Sequence, residues 1–304
     1  LQNGLNIGIF GLNFFTHIQQ IHKKQRTFVG SYSYLLSSAA SFFCMRAAKQ
    51  AANFTFFRKM LSKPCYFMVS FSRMNIYSIS DLHLSGMNPK PMNIFGEGWE
   101  GHFEKICADW REKVGADDVV LICGDISWGI TLEEGLYDLA RLAPLPGKKV
   151  FIRGNHDYWW NGITKLRDRA PDGTFYFLQN DSVRFDGAVI CGSRGWTCPG
   201  SPDYTEKDNK IYLREAERFK LCFRDAAKLK QEGDRLIAMI HYPPYSLKNG
   251  ETLFTQLFEE NGVDFAVFGH IHGEAYFPFR NSKNGVEYVL TSCDKVGFRL
   301  QKIM

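Results

Sequence analysis

Val119-Val120-Leu121-Ile122-Cys123-Gly124-Asp125 is a run of five apolar residues stopped by Gly-Asp. An unbroken apolar run of this length reads as a strand buried on both faces, the habit of a parallel sheet. Its carboxylate falls at the C-terminal tip, where open α/β sheets gather their ligands. The pattern recurs along the chain. Ile76-Tyr77-Ser78-Ile79-Ser80 ends in Asp81-Leu82-His83, and Val150-Phe151-Ile152 ends in Arg153-Gly154-Asn155-His156-Asp157. Leu236-Ile237-Ala238-Met239-Ile240 ends in His241, and Phe265-Ala266-Val267-Phe268 ends in Gly269-His270-Ile271-His272. Five runs that deliver Asp, Asn or His at the same end point to a metal site with Asp125 at its hub.

Working outward, apolar side chains at Phe103, Ile106, Cys107 and Trp110 predict a helix over 99–114. A second helix is predicted over 131–142, with Thr131 as N-cap and Glu133 and Glu134 in its first turn. Strands at 75–80, 119–123 and 149–152 complete a βαβαβ run, which implies parallel strands and crossover helices. Beyond Asp157 a short helix is expected at 161–169. Three short strands then begin at Phe175, Ser182 and Ala188, separated by turns at Asn180-Asp181 and Asp186-Gly187. These suggest a second sheet. A loop over 194–208 leads to an amphipathic helix at 209–231. Strand 236–240, helix 251–260 and strand 264–268 resume the alternation. The tail, 274–303, reads as three short strands with a turn over 281–285. The expected fold is α/β, with two packed sheets and helices outside.

Composition divides the chain at residue 74. Of its 304 residues, 45% are hydrophobic, enough for a sizeable core. The formal net charge of +5 is misleading. Residues 1–73 hold nine Lys or Arg and no acid, while 74–304 hold 28 Lys or Arg against 32 Asp or Glu. An acidic body lacks the basic footprint that nucleic acid demands. Residues 1–73 are uncharged over 27–45 but too rich in Ser for a membrane span. A transit-type segment, a signal anchor and a membrane-surface segment are open readings of this stretch. The expectation is an N-terminal basic extension outside the fold, followed by one domain over 74–304 with no membrane segment. Eight cysteines form no CxxC pair, which fits a reducing, cytoplasmic compartment.

A single histidine is most often a satisfied packing residue, and His102 is read that way. The other five histidines after residue 74 sit at strand tips. Asp81-x-His83 and His270-x-His272 put two ligands on one side of an extended segment, because side chains alternate with period two. Mixed carboxylate and imidazole donors suit Mn, Fe or Zn better than Mg or Ca.

In this order, Asp-x-His, Gly-Asp, Gly-Asn-His-Asp, a lone His after a strand and Gly-His-x-His resemble the calcineurin-like metallophosphoesterase superfamily. Within it the chain is most similar to small bacterial phosphohydrolases of poorly defined substrate. The resemblance covers 74–304 and implies a four-layer αββα sandwich of mixed sheets. It implies two divalent cations, Mn being the expected occupant in vitro. Asp81, His83 and His272 would hold one; Asn155, His241 and His270 would hold the other; Asp125 would bridge them. It also implies hydrolysis of a small phosphomonoester or phosphodiester by a metal-bridging hydroxide. His156 would assist the leaving group, with Asp157 orienting or charge-balancing it.

One departure matters. The superfamily's protein Ser/Thr phosphatases carry an Asp and an Arg soon after Gly-Asp, but here the stretch is Gly124-Asp125-Ile126-Ser127-Trp128-Gly129. Phosphoprotein phosphatase activity is therefore not expected. Arg153 or Arg194 would be the substitute for the phosphate-gripping Arg. Trp128 would offer an aromatic face to substrate, although loop packing explains Trp128, Trp159, Trp160 and Trp196 as simply. The alternative function is a catalytically silent scaffold for protein interaction. Such scaffolds are expected to lose ligands, and here none of the seven is missing. The oligomeric state is left open.

Overall fold

The computed structural model describes residues 74–248 and 250–304. The expected extension over 1–73 lies outside the described residues. Two mixed sheets carry the fold. The first runs β11-β1-β2-β3-β4, and the second runs β5-β6-β7-β8-β10-β9.

In the first sheet β1 (Ile76–Ile79), β2 (Val119–Ile122), β3 (Lys148–Phe151) and β4 (Phe175–Phe177) are parallel, and β11 (Gln301–Lys302) joins β1 antiparallel. Crossovers are made by α1 (His102–Lys113) and α2 (Leu132–Leu142), with α3 (Ile163–Asp168) leading into β4. The start of α2 follows from its sequence. Glu134 N–H donates to the Thr131 hydroxyl at 3.3 Å, and Thr131 N–H donates to the Glu134 carboxylate at 2.9 Å. This capping box satisfies two N–H groups that a helix start leaves without partners.

In the second sheet β6 (Ala188–Ser193), β7 (Arg235–Ile240), β8 (Phe265–Phe268) and β10 (Val286–Leu290) are parallel. The edge strands β5 (Asp181–Phe185) and β9 (Arg280–Lys283) are antiparallel to their neighbours. The long helix α4 (Asn209–Leu229) and α5 (Leu253–Glu260) cover this sheet. Tyr212, Ala216, Phe219, Cys222 and Phe223 line the buried face of α4.

Strand alternation builds three apolar layers. Val119, Leu121 and Cys123 point between the sheets, where they meet Ile190, Ile237, Met239, Val267 and Val289. Val120 and Ile122 point the other way, into a cluster with Trp110, Leu139 and Trp160. Leu236, Ala238 and Ile240 likewise face α4 and α5. The result is the four-layer αββα arrangement.

Two local expectations need correction. The strand at Phe175 belongs to the first sheet, where it lies parallel to β3, Lys149 opposite Phe175. Phe151 stacks on both Phe175 and Phe177, at 5.3 and 5.2 Å between ring centroids, which holds β4 on that edge. The region before α1 is not plain loop leading to a helix at 99. Short 3-10 turns occupy Met92–Phe95 and Glu97–Trp99, and α1 begins only at His102. Among the described residues, no helix is long and apolar enough to cross a membrane.

Candidate metal centre

The tips of β1, β2, β3, β7 and β8 converge, and their loops are stitched together by backbone hydrogen bonds. Asp81 N–H donates to Gly124 C=O at 2.9 Å, His83 N–H to Asp125 C=O at 3.0 Å, and Leu84 N–H to Ile126 C=O at 2.9 Å. The stitching bends the chain hard. Asp81, His83, Asp125 and His270 all hold positive φ, at 59°, 47°, 50° and 73°. Such conformations are uncommon outside glycine and gather at functional sites. Gly124 (φ 93°) permits the closest approach: a Cβ there would sit 2.7 Å from the Gly154 backbone and 2.8 Å from His241 Nδ1.

Two groups of potential ligands result. In each of Asp81/His83/His272 and Asp81/Asp125/His241, the donor atoms lie within 4.8 Å of one another. Asp81 is common to both groups, and Asp125 Oδ2, in the second, lies 4.0 Å from His83 Nε2 of the first and 3.5 Å from His241 Nε2. Asn155 Oδ1 lies 2.7 Å from His241 Nε2 and 2.9 Å from His270 Nδ1. All seven residues read from the sequence as ligands are thus gathered at one place. The donor set is carboxylate and amide oxygen with imidazole nitrogen, which fits a borderline divalent cation.

The electrostatics point the same way. Burial opposes ionisation of Asp81, but a hydrogen bond from His272 and the charges of His272, His241 and His83 hold it well below the usual carboxylate range. Asp125 is likewise buried, yet the neighbouring His241 draws it down to about 2. Asp125 and Asp81 in turn lift His241 to about 9, and Asp294 and Asp81 lift His272 to about 10, in both cases against the pull of burial. A buried site that draws protons onto two imidazoles is one that attracts cations. Burial lowers His83 to about 4 and His270 to about 3. They are neutral at pH 7, the state in which imidazole ligates metal. The Nδ1 of His83 is buried with no hydrogen-bond partner.

Outer contacts orient the rings. His272 Nδ1 is 2.9 Å from Asp294 Oδ1, and His241 Nδ1 is 2.8 Å from Cys123 C=O. Each contact sets the tautomer that leaves the opposite nitrogen facing inward. Asp294 escaped the sequence reading. Its signal was a sixth apolar run, Tyr288-Val289-Leu290, followed by Thr291-Ser292-Cys293-Asp294.

His156 lies beside the groups. Its N–H donates to Asp125 Oδ1 at 2.8 Å, and its ring is 5.8 Å from His83 and 4.6 Å from Trp128. Asp157 does not pair with that ring. Its buried carboxylate accepts N–H bonds from Ile126 (2.9 Å), Ser127 (3.2 Å), Gly154 (2.8 Å) and the Trp159 indole (3.0 Å). It clamps the β2 and β3 loops together, and reaches His156 only through the backbone they share. Burial and the nearby Asp125 push its pKa up to about 6, against the three backbone donors.

Trp128 stacks on His83, with centroids 4.7 Å apart, and its Nε1 has no partner. Lys90 Nζ sits 4.4 Å over the same ring. Trp159 and Trp160 are fully packed in the core. The Arg194 guanidinium lies 4.7 Å over Trp196 and 3.9 Å from the buried Glu215. The Arg153 Nε is buried and unpartnered. His102, read as a packing residue, bridges the carbonyls of Trp99 and Leu82 at 3.2 and 3.0 Å.

A family model described as calcineurin-like phosphoesterase matches residues 74–274. The chain is 35% identical over 83 residues to the gene 66 protein of Mycobacterium phage L5, covering 27% of this chain and 40% of that protein. It therefore spans about two fifths of the length of the phage relative. It is 29% identical over 130 residues to an uncharacterised protein of Methanocaldococcus jannaschii, covering 40% of this chain and 69% of that protein. The solved structure of phosphopantetheinyl hydrolase from Mycobacterium tuberculosis aligns at 13% identity and TM-score 0.46, over 76% of this chain and 96% of that one. A protein of unknown function from Aquifex aeolicus aligns at 15% identity and TM-score 0.40, with the same coverage.

Proposed function

The chain belongs to the calcineurin-like phosphoesterase family, and on that premise we propose that residues 74–304 form a catalytic unit hydrolysing a small phosphomonoester or phosphodiester. One observation carries the reading: two His/Asp groups share Asp81 in one buried place, with His156 alongside. Asp81, His83 and His272 are assigned to one divalent cation, and Asn155, His241 and His270 to the other, with Asp125 between. Mn, Fe or Zn suits these donors, and Mn is the ion to load first. Bound there, such ions supply Lewis-acid charge to the phosphoryl oxygens and lower the pKa of water toward about 7.

The chain's own residues do the rest. His156, anchored through its N–H to Asp125, stands where an imidazole can give a proton to the departing alkoxide. Asp157 is a positioning residue that fixes the turn carrying His156 and Asn155. Asn155 contributes oxygen without charge, which keeps the site attractive to a phosphate anion. Trp128 packs its ring on His83, with its indole N–H buried and without a hydrogen-bond partner. Arg153 is assigned to phosphate binding ahead of Arg194, which is engaged by Glu215 and Trp196. Six buried free cysteines among the described residues support a cytoplasmic setting.

The test is turnover of a chromogenic phosphomonoester and the matching diester by the purified, Mn²⁺-loaded chain beside its Asp125→Asn variant. Turnover lost in the variant supports the reading, and unchanged turnover refutes it.

A further inference from the structure

A cleft of about 430 Å³ opens beside the metal centre, and His270 and His272 form part of its wall. That volume suits a small organic ligand. The rest of the lining is mostly apolar, supplied by Tyr242, Tyr245, Leu247, Ile271, Tyr276 and Phe277, with the exposed Asp203 and Lys248 as its charged members. Its floor is preformed: Tyr245 and Phe277 are buried with centroids 5.2 Å apart, and Tyr245 also meets Tyr288 at 5.3 Å. Tyr242 lies 4.2 Å from His270, so aromatic surface continues from the ligand ring into the cleft. Tyr276 and Leu247 are 77% and 57% exposed, large apolar side chains left in water beside a buried floor.

We propose that this cleft binds the organic moiety of the substrate, and that this moiety carries an uncharged aromatic or heteroaromatic ring. The proposal rests on the phosphoesterase reading above. Aromatic walls attract a ring by offset stacking and edge contacts. A charged moiety would lose its water against Tyr and Leu with few groups to replace it. A separate cleft of about 550 Å³ mixes Lys90, Glu100, Glu104 and Arg141 with Trp99 and Phe103, and none of the seven candidate ligands lines it. In the reaction the P–O bond to the ring-bearing alcohol breaks, water supplies the new oxygen on phosphorus, and the departing alkoxide takes a proton.

The experiment uses the full chain loaded with Mn²⁺ and four esters of primary alcohols, whose intrinsic leaving ability is similar: ethyl, hexyl and naphthylmethyl phosphate, and a nucleoside 5′-phosphate. The expected kcat/KM for a ring-bearing ester is about tenfold or more above that for ethyl phosphate. In Tyr276→Ala and Leu247→Asp that ratio falls toward one. Saturation-transfer NMR with naphthylmethanol reads the cleft without turnover, and its signal disappears in Leu247→Asp. Either ring source, naphthyl or nucleoside, supports the proposal. Hexyl phosphate matching both overturns the ring assignment. Turnover of all four at similar kcat/KM, with no NMR signal, overturns the cleft as the subsite. NMR binding lost in Leu247→Asp but no turnover of any of these esters or of their methyl diesters supports the cleft while refuting the phosphoesterase reading. Neither binding nor turnover refutes both.

Discussion

Gly154 lies so close to Asp125 that a methyl group there would overlap both the Asp125 carboxylate and its backbone nitrogen. The contact is what lets the β3 loop, bearing Asn155 and His156, close over the β2 tip. Gly154→Ala is expected to push the loops apart, at an overpacking cost of about 1–3 kcal/mol. In a domain of this size each kcal/mol lowers the melting temperature by about 2–4 °C. A thermal melt and a metal analysis check it. A variant that melts and binds metal like the parent contradicts the steric account.

Asp294 meets the outer nitrogen of His272 and accepts from the Gly273 N–H, and its loss is expected to reach the centre. Removing such an outer partner costs about 10–100-fold in metal affinity or activity. Asp294→Asn should therefore weaken metal binding over that range while leaving the far-ultraviolet circular dichroism spectrum unchanged. Isothermal titration with Mn²⁺ is the measurement. Parental affinity in Asp294→Asn means His272 is oriented by packing alone.

Metal should stabilise the fold, because the ligands come from both sheets. A cation held at about 100 times its dissociation constant contributes about 2.7 kcal/mol. Chelation is expected to lower the melting temperature, and restored Mn²⁺ to raise it in a concentration-dependent way. His241→Ala should blunt the response. A melting temperature indifferent to chelator and metal alike is inconsistent with this.

At the far end of the second sheet, Asp234 accepts from Arg184 Nε and Nη2 at 2.6 and 3.1 Å and from Gln231 N–H at 2.9 Å. The Arg184 bonds hold its carboxyl below the usual value of 3.8. A pKa lowered by folding means the native state favours the ionised form. That stabilisation is complete above the unfolded value and is lost as pH falls through the lower folded one. Melting temperature below pH 4 should fall less steeply in Asp234→Asn than in the parent. Parallel curves would exclude a contribution from Asp234.

Most of the candidate site was legible because the residues it gathers sit immediately after strands that announce themselves as apolar runs. A strand tip is local information, and parallel strands put successive tips at one edge. Thr131 and Glu134 marked the start of α2 for the same reason, since a capping box lies within four residues. Sheet membership is not local. Phe175–Phe177 carries nothing that distinguishes pairing with Lys148–Phe151 from pairing with Asp181–Phe185, and aromatic stacking on Phe151 decides it. The partners of Asp157 were not legible, because its neighbour in sequence is His156. Its carboxylate instead reaches backbone N–H groups about thirty residues away. Asp294 was missed because it meets His272 across 22 residues of intervening chain.

The division of ligands between two sheets has a consequence during synthesis. Asp81, Asp125 and Asn155 leave the ribosome well before His241, His270 and His272. At about 5–20 residues per second, on the order of ten seconds separates Asp125 from His272. Throughout that interval the nascent first sheet presents Asp81, His83, Asp125 and Asn155 without the three imidazoles of the second sheet. A translation product truncated before His241 carries four of the seven candidate ligands and is expected to bind less than a full complement of metal.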